Sequence, residues 1–254
     1  MGMLTTAILG TGALARSLFE AIQQEQTIQC VGVHGRNEGD ASFFGSHWKS
    51  DLKELFEAEL LLVALPDHAL HQQFSSLDSY KGILTHCSGA TAIQPRTTYP
   101  SAVCYPLNSF NKSQRTSLKA TPLFVEASNP QALKRLRFFA ESLSEQVVEL
   151  ESPRRLALHL AAVISQNFSN HLLAQTQQWC SENSLDFLWL KPMLESKFNE
   201  AFLTNAALIQ SGPALRRDEK TLAQHRVLLS EHVSLLQIYN ALTTSIQEFH
   251  EKEF

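Results

Sequence analysis

The stretch Ala7-Ile8-Leu9-Gly10-Thr11-Gly12-Ala13-Leu14-Ala15 decides the fold, because an apolar run enters a Gly-x-Gly-x-x-Ala turn there. Gly10 permits a tight turn, Gly12 lets the backbone approach a pyrophosphate, and Ala15 lets the next helix lie close to the strand. The free N–H groups at the start of that helix then face the anion. The alternative is a strand–turn–helix that binds nothing. We predict a dinucleotide site made by Gly10, Thr11, Gly12, Ala13, Leu14 and Ala15.

Short apolar runs alternate with helical stretches over the first 150 residues. The run Leu60–Leu65 is apolar at every position, which is typical of a strand covered on both faces. The alternation predicts an α/β fold with a Rossmann-type, doubly wound, mostly parallel sheet. The predicted strands are Thr5–Leu9, Ile28–Val33, Leu60–Leu65, Gly82–Cys87, Ala102–Tyr105, Leu123–Glu126 and Gln146–Leu150. The predicted helices are Ala13–Gln24, Asp51–Ala58, His68–Ser75 and Pro130–Leu143.

The chain changes character near Ser152. Of its 10 glycines only Gly212 lies beyond that point, and apolar residues recur there at helical spacing. The pattern predicts a long amphipathic helix, Pro153–Ser181, and a C-terminal all-α region. Further predicted helices are Pro192–Leu208, Asp218–Ser230 and His232–Phe249. We therefore predict two domains: a Rossmann-like dinucleotide-binding domain, 1–151, and an all-helical substrate and dimerisation domain, 152–254.

Composition excludes several classes of protein. Hydrophobic residues make up 44% and charged residues 18% of the 254 residues, which is enough apolar material for a buried core. A net charge of −4 disfavours a nucleic-acid partner. No apolar run approaches the roughly 18 residues of a membrane span. Four dispersed cysteines without a Cys-x-x-Cys pair suit reduced thiols in a cytoplasmic protein.

The segment after the second predicted strand indicates which dinucleotide binds. It reads Val33-His34-Gly35-Arg36-Asn37 and has no carboxylate for the ribose hydroxyls of NAD. Arg36 can donate two hydrogen bonds to a 2′-phosphate, so Gly35, Arg36 and Asn37 predict NADP as the cofactor. The alternative is a solvated arginine in an ordinary turn.

Two further strands end in loops with polar residues. Leu65-Pro66-Asp67 follows the third strand, and His86-Cys87-Ser88-Gly89-Ala90 follows the fourth. Ligands of open α/β sheets bind beyond the carboxyl ends of the strands, so we expect Leu65, Pro66, Asp67, Ser88 and Gly89 to border the cofactor. For Asp67, the alternative is a helix N-cap before His68.

These residues resemble a family of Rossmann-like oxidoreductases of unknown substrate that carry a C-terminal helical domain of unknown function. That family is distantly similar to pyrroline-5-carboxylate reductase and to the deazaflavin-dependent NADP oxidoreductases. The resemblance covers nearly the whole chain. In the first half it rests on the glycine-rich turn, Arg36, the two loops and the segment Tyr105-Pro106-Leu107-Asn108-Ser109-Phe110, which looks like the family's His-Pro-Leu-x-x-Phe.

In the second half, His159-Leu160-Ala161-Ala162 with Asn167 resembles the family's His-x-Ala-Ala helix. Ser211-Gly212-Pro213-Ala214-Leu215-Arg216-Arg217-Asp218, with Thr221 and His225, looks like its Thr-Gly-Pro-x-x-Arg-Gly-Asp signature. The chain departs from the family at three positions. It has Tyr105 where the family has His, Ser211 where the family has Thr, and Arg217 where the family has Gly. The first departure weakens a proton-transfer role at that position.

We predict five catalytic candidates that converge beyond the carboxyl ends of the strands: His159, Asn167, Ser88, Arg216 and Asp218. His159 would donate a proton, Asn167 would orient a substrate carbonyl or carboxylate, and Ser88 would hold the nicotinamide or a substrate oxygen. Arg216 would bind a negative group and Asp218 would hold Arg216. The alternatives are a core histidine, an interhelical hydrogen bond for Asn167, and a mere salt bridge between Arg216 and Asp218, which can also cap a helix.

The sequence thus predicts an NADP-dependent oxidoreductase that acts on a small carbonyl or imine substrate in a cleft between the domains. A non-catalytic NADP(H)-binding sensor is the alternative, because related β-hydroxyacid dehydrogenases have a lysine where this chain has Val163. Phe168, Leu172 and Trp179 predict a homodimer through the long helix. His68, His71 and Asp67 could meet a cation, but solvated side chains are commoner, and we predict no metal.

Overall fold

The sheet of this protein is mixed but mostly parallel. The computed structural model describes residues 2–111 and 116–251, and seven strands of that part form one sheet in the order β2-β1-β3-β4-β5-β6-β7. Only β5 and β6 pair antiparallel. The predicted α/β class is confirmed. The strands are β1 Leu4–Leu9, β2 Ile28–His34, β3 Leu60–Val63, β4 Ile83–His86, β5 Ser101–Pro106, β6 Leu123–Ala127 and β7 Val147–Glu149.

Helices connect the strands and make up most of the second half. Pro130–Leu143 has the predicted bounds, because Asn129 caps its first turn by accepting from the Ala132 N–H at 2.8 Å. The helices are α1 Ala13–Gln23, α2 Ala41–Phe44, α3 Asp67–Phe74, α4 Pro130–Leu143, α5 Ser152–Ala162, α6 Ser169–Glu182, α7 Lys191–Leu203, α8 Glu219–Leu228 and α9 Val233–Glu251.

Two predicted helices are shorter or of another type in the structure. The helix predicted over Asp51–Ala58 is a 3₁₀ segment, Leu52–Glu57, which begins with a capping box between Asp51 and Glu54. The helix predicted over Pro192–Leu208 ends at Leu203, and the chain turns into a 3₁₀ segment, Ala206–Ile209, capped by Asn205. Hydrophobic spacing does not register such caps, so the predicted helices ran through them.

The long helix predicted over Pro153–Ser181 is interrupted by a π-helical segment, Val163–Phe168, between α5 and α6. The Ser165 hydroxyl donates to the carbonyl of Ala161 at 2.8 Å and competes there with the main-chain hydrogen bond. Such π turns are frequent at functional sites.

β3 lies between two apolar cores, as the unbroken apolar run predicts. Leu60 and Leu62 belong to the core beneath α1 and α4, whereas Leu61 and Val63 belong to the core on the opposite face. All four side chains are fully buried. Both faces of the sheet are therefore covered, which leaves the carboxyl ends of the strands as the open edge.

By spatial grouping the chain divides into two units, Met1–Gln166 and Asn167–Phe254. The first unit holds the sheet and includes α5, while the second has no strand among its described residues. The predicted division at 151/152 follows the change from α/β to helical structure and stays a prediction. In the described part of the chain, no helix is long and apolar enough to cross a membrane.

Candidate functional site

A groove of about 300 Å³ opens at the carboxyl ends of β1, β2 and β3, all within the first unit. Eight residues predicted to contact the cofactor line it: Gly10, Thr11, Gly12, Gly35, Arg36, Asn37, Leu65 and Pro66. Ala13, Leu14, Ala15, Asp67, Ser88 and Gly89 do not line it. The sequence analysis missed Leu9, His34, Ala64, Ala69, Gln72 and Gln73, which complete the walls.

At Gly10, two stretches of backbone pack directly against each other and form the floor of the groove. Its φ is +129°, which L side chains rarely adopt, and a Cβ there would overlap the carbonyl oxygen of Ala64. Glycine is therefore required at this turn by the fold as well as by any ligand.

Gly12 faces open space. It is the N-cap of α1, no side chain caps this helix, and a Cβ at Gly12 would meet no atom within 4 Å. The unpaired N–H groups of a helix N-terminus favour an anion. The vacant volume and the uncapped helix together fit the diphosphate of a dinucleotide.

Asp40 closes the base of this turn, a role that the sequence did not reveal. Its carboxylate accepts from the Thr11 hydroxyl at 2.6 Å and from the Arg16 guanidinium at 2.6 Å. The Thr11 hydroxyl is thus engaged within the protein. The contact joins residues 29 positions apart, and no local pattern signals it.

The loop after β2 presents Arg36 to the groove. Arg36 is exposed, whereas the Asn37 side chain accepts from the Gly39 N–H at 3.0 Å and caps a short 3₁₀ turn. His34 contacts the main-chain carbonyl of Lys49 through Nδ1 at 2.8 Å. Of the three predicted residues of this loop, Arg36 is the one whose charge can select a phosphate.

Asp67 is not the N-cap of its helix. α3 begins at Asp67, its N-cap is Pro66, and no side chain makes a capping hydrogen bond. The alternative assignment of Asp67 as a cap is therefore wrong. The negative charge of the exposed Asp67 carboxylate instead helps to raise the pKa of Tyr105.

The loop after β4 is shaped by its own side chains. The Ser88 hydroxyl accepts from the N–H groups of Ala90 at 3.1 Å and Thr91 at 2.8 Å. His86 Nδ1 accepts from the Ser88 N–H at 3.3 Å, and its Nε2 lies 3.2 Å from the carbonyl of Ala92. Burial, with the nearby Arg155 charge, lowers the pKa of His86 to about 4. His86 is thus a neutral structural residue, and Ser88 has a local role in the turn.

Tyr105 and His159 form a pair at the ends of β5 and the second turn of α5. The Tyr105 Oη lies 3.2 Å from His159 Nδ1, and the two rings meet edge to face with centroids 5.9 Å apart. Both rings lie on the backbone of Gly89. Burial, together with the Asp67 carboxylate, raises the pKa of Tyr105. The structure therefore brings His159 to the predicted loop, with a tyrosine that the sequence analysis did not count as a site residue.

A buried ionic cluster holds α5 beside this loop. Arg155 is 1% exposed; it forms an ion pair with Glu126 of β6 and donates to the Thr91 carbonyl at 2.6 Å. Ser152 donates to Glu126 at 2.7 Å and accepts from the Ile93 N–H at 2.9 Å. Arg155 precedes His159 by about one helical turn, so the cluster fixes the height of His159 above the sheet edge.

The remaining catalytic candidates lie in the second unit. Asn167 is exposed in the π-helical segment. Asp218 caps α8 by accepting from the Thr221 N–H at 3.1 Å and hydroxyl at 2.8 Å, which lowers the pKa of Asp218. Arg216 is exposed and, among the described residues, forms no ion pair or hydrogen bond with Asp218, so neither the alternative of a salt bridge nor the predicted role of Asp218 in holding Arg216 has a contact behind it; Arg216 acts on Asp218 only through its charge. That these residues join His159 in one site stays a prediction.

Comparison with known proteins supports the resemblance to Rossmann-like NADP oxidoreductases. Residues 121–246 match the model of DUF2520, a domain of unknown function. The structure is similar to that of a Bacteroides fragilis protein assigned by inference as an NADP oxidoreductase, with a TM-score of 0.88 and 27% identity over 97% of this chain and 98% of that one. The family model covers just under half of the chain, and the similarity to the Bacteroides fragilis structure extends over nearly all of it. The resemblance seen in the sequence is thereby confirmed.

Other solved structures share the fold of this chain at lower identity. The reductive aminase of Aspergillus terreus, in complex with NADPH and ethyl-5-oxohexanoate, matches with a TM-score of 0.64 and 11% identity over 98% of this chain and 93% of that one. The Plasmodium falciparum pyrroline carboxylate reductase with NADP bound matches with a TM-score of 0.59 and 10% identity over 97% of this chain and 100% of that one. No curated protein matches the chain.

Two further features lie outside the groove of Gly10 and Gly12. Within residues 2–111 and 116–251, no group of three His, Cys, Asp or Glu side chains could hold a metal ion. A larger cavity of about 720 Å³, lined by the C-terminal parts of α1 and α4, contains none of the predicted site residues.

Proposed function

We propose that this oxidoreductase uses NADPH to reduce a small carbonyl or imine compound. The observation that carries the proposal is the open volume at Gly12 beside the uncapped start of α1, with the exposed Arg36 on the same groove. The diphosphate would lie at Gly12 and the 2′-phosphate at Arg36. The NADP and NADPH found in structures of relatives support the same cofactor.

His159 is our candidate for the proton donor. NADPH supplies a hydride when bound, and the protein must then place a proton on the substrate oxygen or nitrogen. The imidazole lies at the ends of β4 and β5, and Leu65 and Pro66 of the cofactor groove follow the adjoining strand β3. Ligands of open sheets bind along this edge, so a substrate between groove and imidazole fits the proposal.

The experiment is calorimetric titration with NADPH and NADH, followed by NADPH absorbance in the presence of cyclic imines and keto acids. Tight NADPH binding with turnover of one compound class supports the proposal. Binding without turnover of any compound favours the second candidate function, a sensor. The sensor is also favoured by the sequence, which has Val163 where related dehydrogenases have a lysine.

We further propose that the protein is a homodimer that works in the cytoplasm. Leu156 and Leu160 of α5 and Ile164 of the following π-helical segment recur every four residues, and each is about half exposed. In the second unit, Phe202 and Leu203 are almost fully exposed, at 88% and 87%. Large apolar patches are rare on soluble monomers, and a second copy would bury these side chains. Four buried, unpaired cysteines in the described chain suit a reducing compartment.

A further inference from the structure

Gly89 makes close contact between Tyr105 and His159 possible. A Cβ at position 89 would lie 2.7 Å from Tyr105 Cζ and 2.8 Å from His159 Nδ1, closer than side-chain carbons approach one another. A residue larger than glycine would therefore push against both rings at the point where they meet. The backbone of the β4 loop thus serves as the surface on which this pair is assembled.

The protonation of Tyr105 follows from its surroundings. The phenol of Tyr105 is buried, and the Asp67 carboxylate opposes a second negative charge, so the raised pKa of Tyr105 keeps the hydroxyl protonated. The 3.2 Å contact fits either a phenol that donates to an unprotonated Nδ1 or an Nδ1–H that donates to the phenol oxygen. Among the described residues, Nδ1 is the one acceptor within reach of the Tyr105 hydroxyl, so only the first arrangement satisfies this buried donor.

The other ring nitrogen of His159 is left for a ligand. A neutral imidazole that accepts at Nδ1 carries its proton on Nε2. Among the described residues, Nε2 has no hydrogen-bond partner, and the ring is only partly buried. Its N–H is therefore free to donate to a substrate atom.

We propose that Tyr105 is a positioning residue that holds His159 in the Nε2–H tautomer and replaces the proton that Nε2 delivers. This inference rests on the proposed reductase function. As the hydride adds to the substrate carbon, the π-electron pair moves to the oxygen or nitrogen, and that atom takes the Nε2 proton. Nδ1 takes the phenolic proton of Tyr105 in the same step. After product release, Nδ1 returns that proton to the phenolate and Nε2 takes a proton from solvent water, which restores the protonated phenol and the Nε2–H tautomer.

The first test observes the tautomer without any cofactor or substrate. The full chain, labelled with ¹⁵N-histidine, is studied by NMR at about pH 8, where free imidazole is neutral, and His159→Gln assigns the signal. We expect an Nε2–H tautomer for His159 in the wild type and a mixture in Tyr105→Phe. The signal of His225, which contacts Tyr239 at 2.9 Å in the other unit, is the internal reference and should not move. A wild-type Nδ1–H tautomer, or unchanged populations in Tyr105→Phe, would overturn the inference.

The second test separates positioning from binding. With NADPH and 1-pyrroline as the probe imine, Tyr105→Phe should lower kcat about tenfold, the effect of one lost hydrogen bond, and leave KM and NADPH affinity within about twofold. The matched control is Tyr80→Phe. It removes a buried hydroxyl that donates to the Ala58 carbonyl at 2.9 Å and does not line the groove. A kcat for Tyr105→Phe equal to that of the wild type overturns the inference. A wild type that turns over no probe contradicts the reductase function instead, and the NMR result still decides the tautomer.

Discussion

Arg155 Nη2 donates to the main-chain carbonyl of Thr91 at 2.6 Å and so joins the first turn of α5 to the loop that follows β4. Arg155 also forms an ion pair with Glu126, whose carboxylate accepts from Ser152. One buried guanidinium therefore connects the strand β6, the helix of His159 and the loop of Gly89.

Replacing Arg155 by methionine should destabilise the protein strongly. The substitution leaves the Glu126 carboxylate without its buried partner, and breaking such a pair costs about 3–5 kcal/mol. Urea unfolding measures the loss. Arg154→Met, at the exposed neighbouring position, is the control and should change the free energy of unfolding by less than about 0.5 kcal/mol. Equal effects of the two variants would show that the cluster contributes nothing special.

Gly12→Val should abolish dinucleotide binding without unfolding the chain. The valine would occupy the open volume in front of α1, and the backbone at Gly12, with φ −69° and ψ −177°, accepts a side chain. Calorimetry with NADPH measures the loss, and the thermal midpoint should be nearly unchanged. Gly2→Val, also without neighbours within 4 Å but outside the groove, should bind normally. Retained NADPH binding in Gly12→Val would show that the turn has only a structural role.

Arg36→Ala should remove most of the preference for NADPH over NADH. A charge-assisted hydrogen bond contributes about 1.5–3 kcal/mol, so NADPH affinity should fall roughly 10- to 150-fold while NADH affinity stays nearly constant. Lys81→Ala makes the same charge change before β4, at the opposite edge of the sheet, and should leave both affinities unchanged. Equal wild-type affinities for the two cofactors would contradict the assignment of Arg36.

The stability of the fold should fall as the pH decreases below neutrality, in part because of His86. The pKa of His86 is lowered to about 4 in the folded state, whereas an unfolded histidine titrates near 6.5. Between these values the unfolded chain binds a proton that the folded chain excludes, so unfolding becomes easier by up to about 3 kcal/mol on going from pH 7 to pH 4. His86→Gln should lose this part of the pH dependence, while His71→Gln, at an exposed position, should keep it. Parallel curves for wild type and His86→Gln would exclude the role.

Light scattering should give twice the 28.4 kDa mass of one chain. Replacing Leu156 of α5 and Ile164 of the π-helical segment together by glutamate places two charges on this exposed apolar surface and should produce a monomer. A Lys81→Glu variant controls for added negative charge and should remain dimeric. A wild-type monomer at micromolar concentration would contradict the assembly.

The sheet and the groove could be predicted from the sequence because both depend on local patterns. A strand buried on both faces, such as β3, must be apolar at every position, and the glycine-rich turn has a fixed spacing. All seven predicted strands are present, with small differences at their ends.

The contacts that assemble the candidate site could not be predicted, because they join distant positions. Tyr105 and His159 are 54 residues apart, and Asp40 and Thr11 are 29 apart. Side-chain periodicity shows which face a residue occupies but not which partner it meets across the fold. The substitution of Tyr105 for the family's histidine was visible in the sequence, and only its position beside His159 shows what the hydroxyl can do.

The two apolar faces of β3 leave its register undetermined by hydrophobicity, since a shift by one residue would exchange one buried face for another. The register must then be set at the ends of the strand. At the start, the Glu59 N–H donates to both the carbonyl and the hydroxyl of Thr5; at the end, Gly10 lies directly against the Ala64 carbonyl. The close contact at Gly10 thus helps to set the register of β3 against β1. A descendant of this chain that no longer bound a cofactor would therefore still need glycine at position 10.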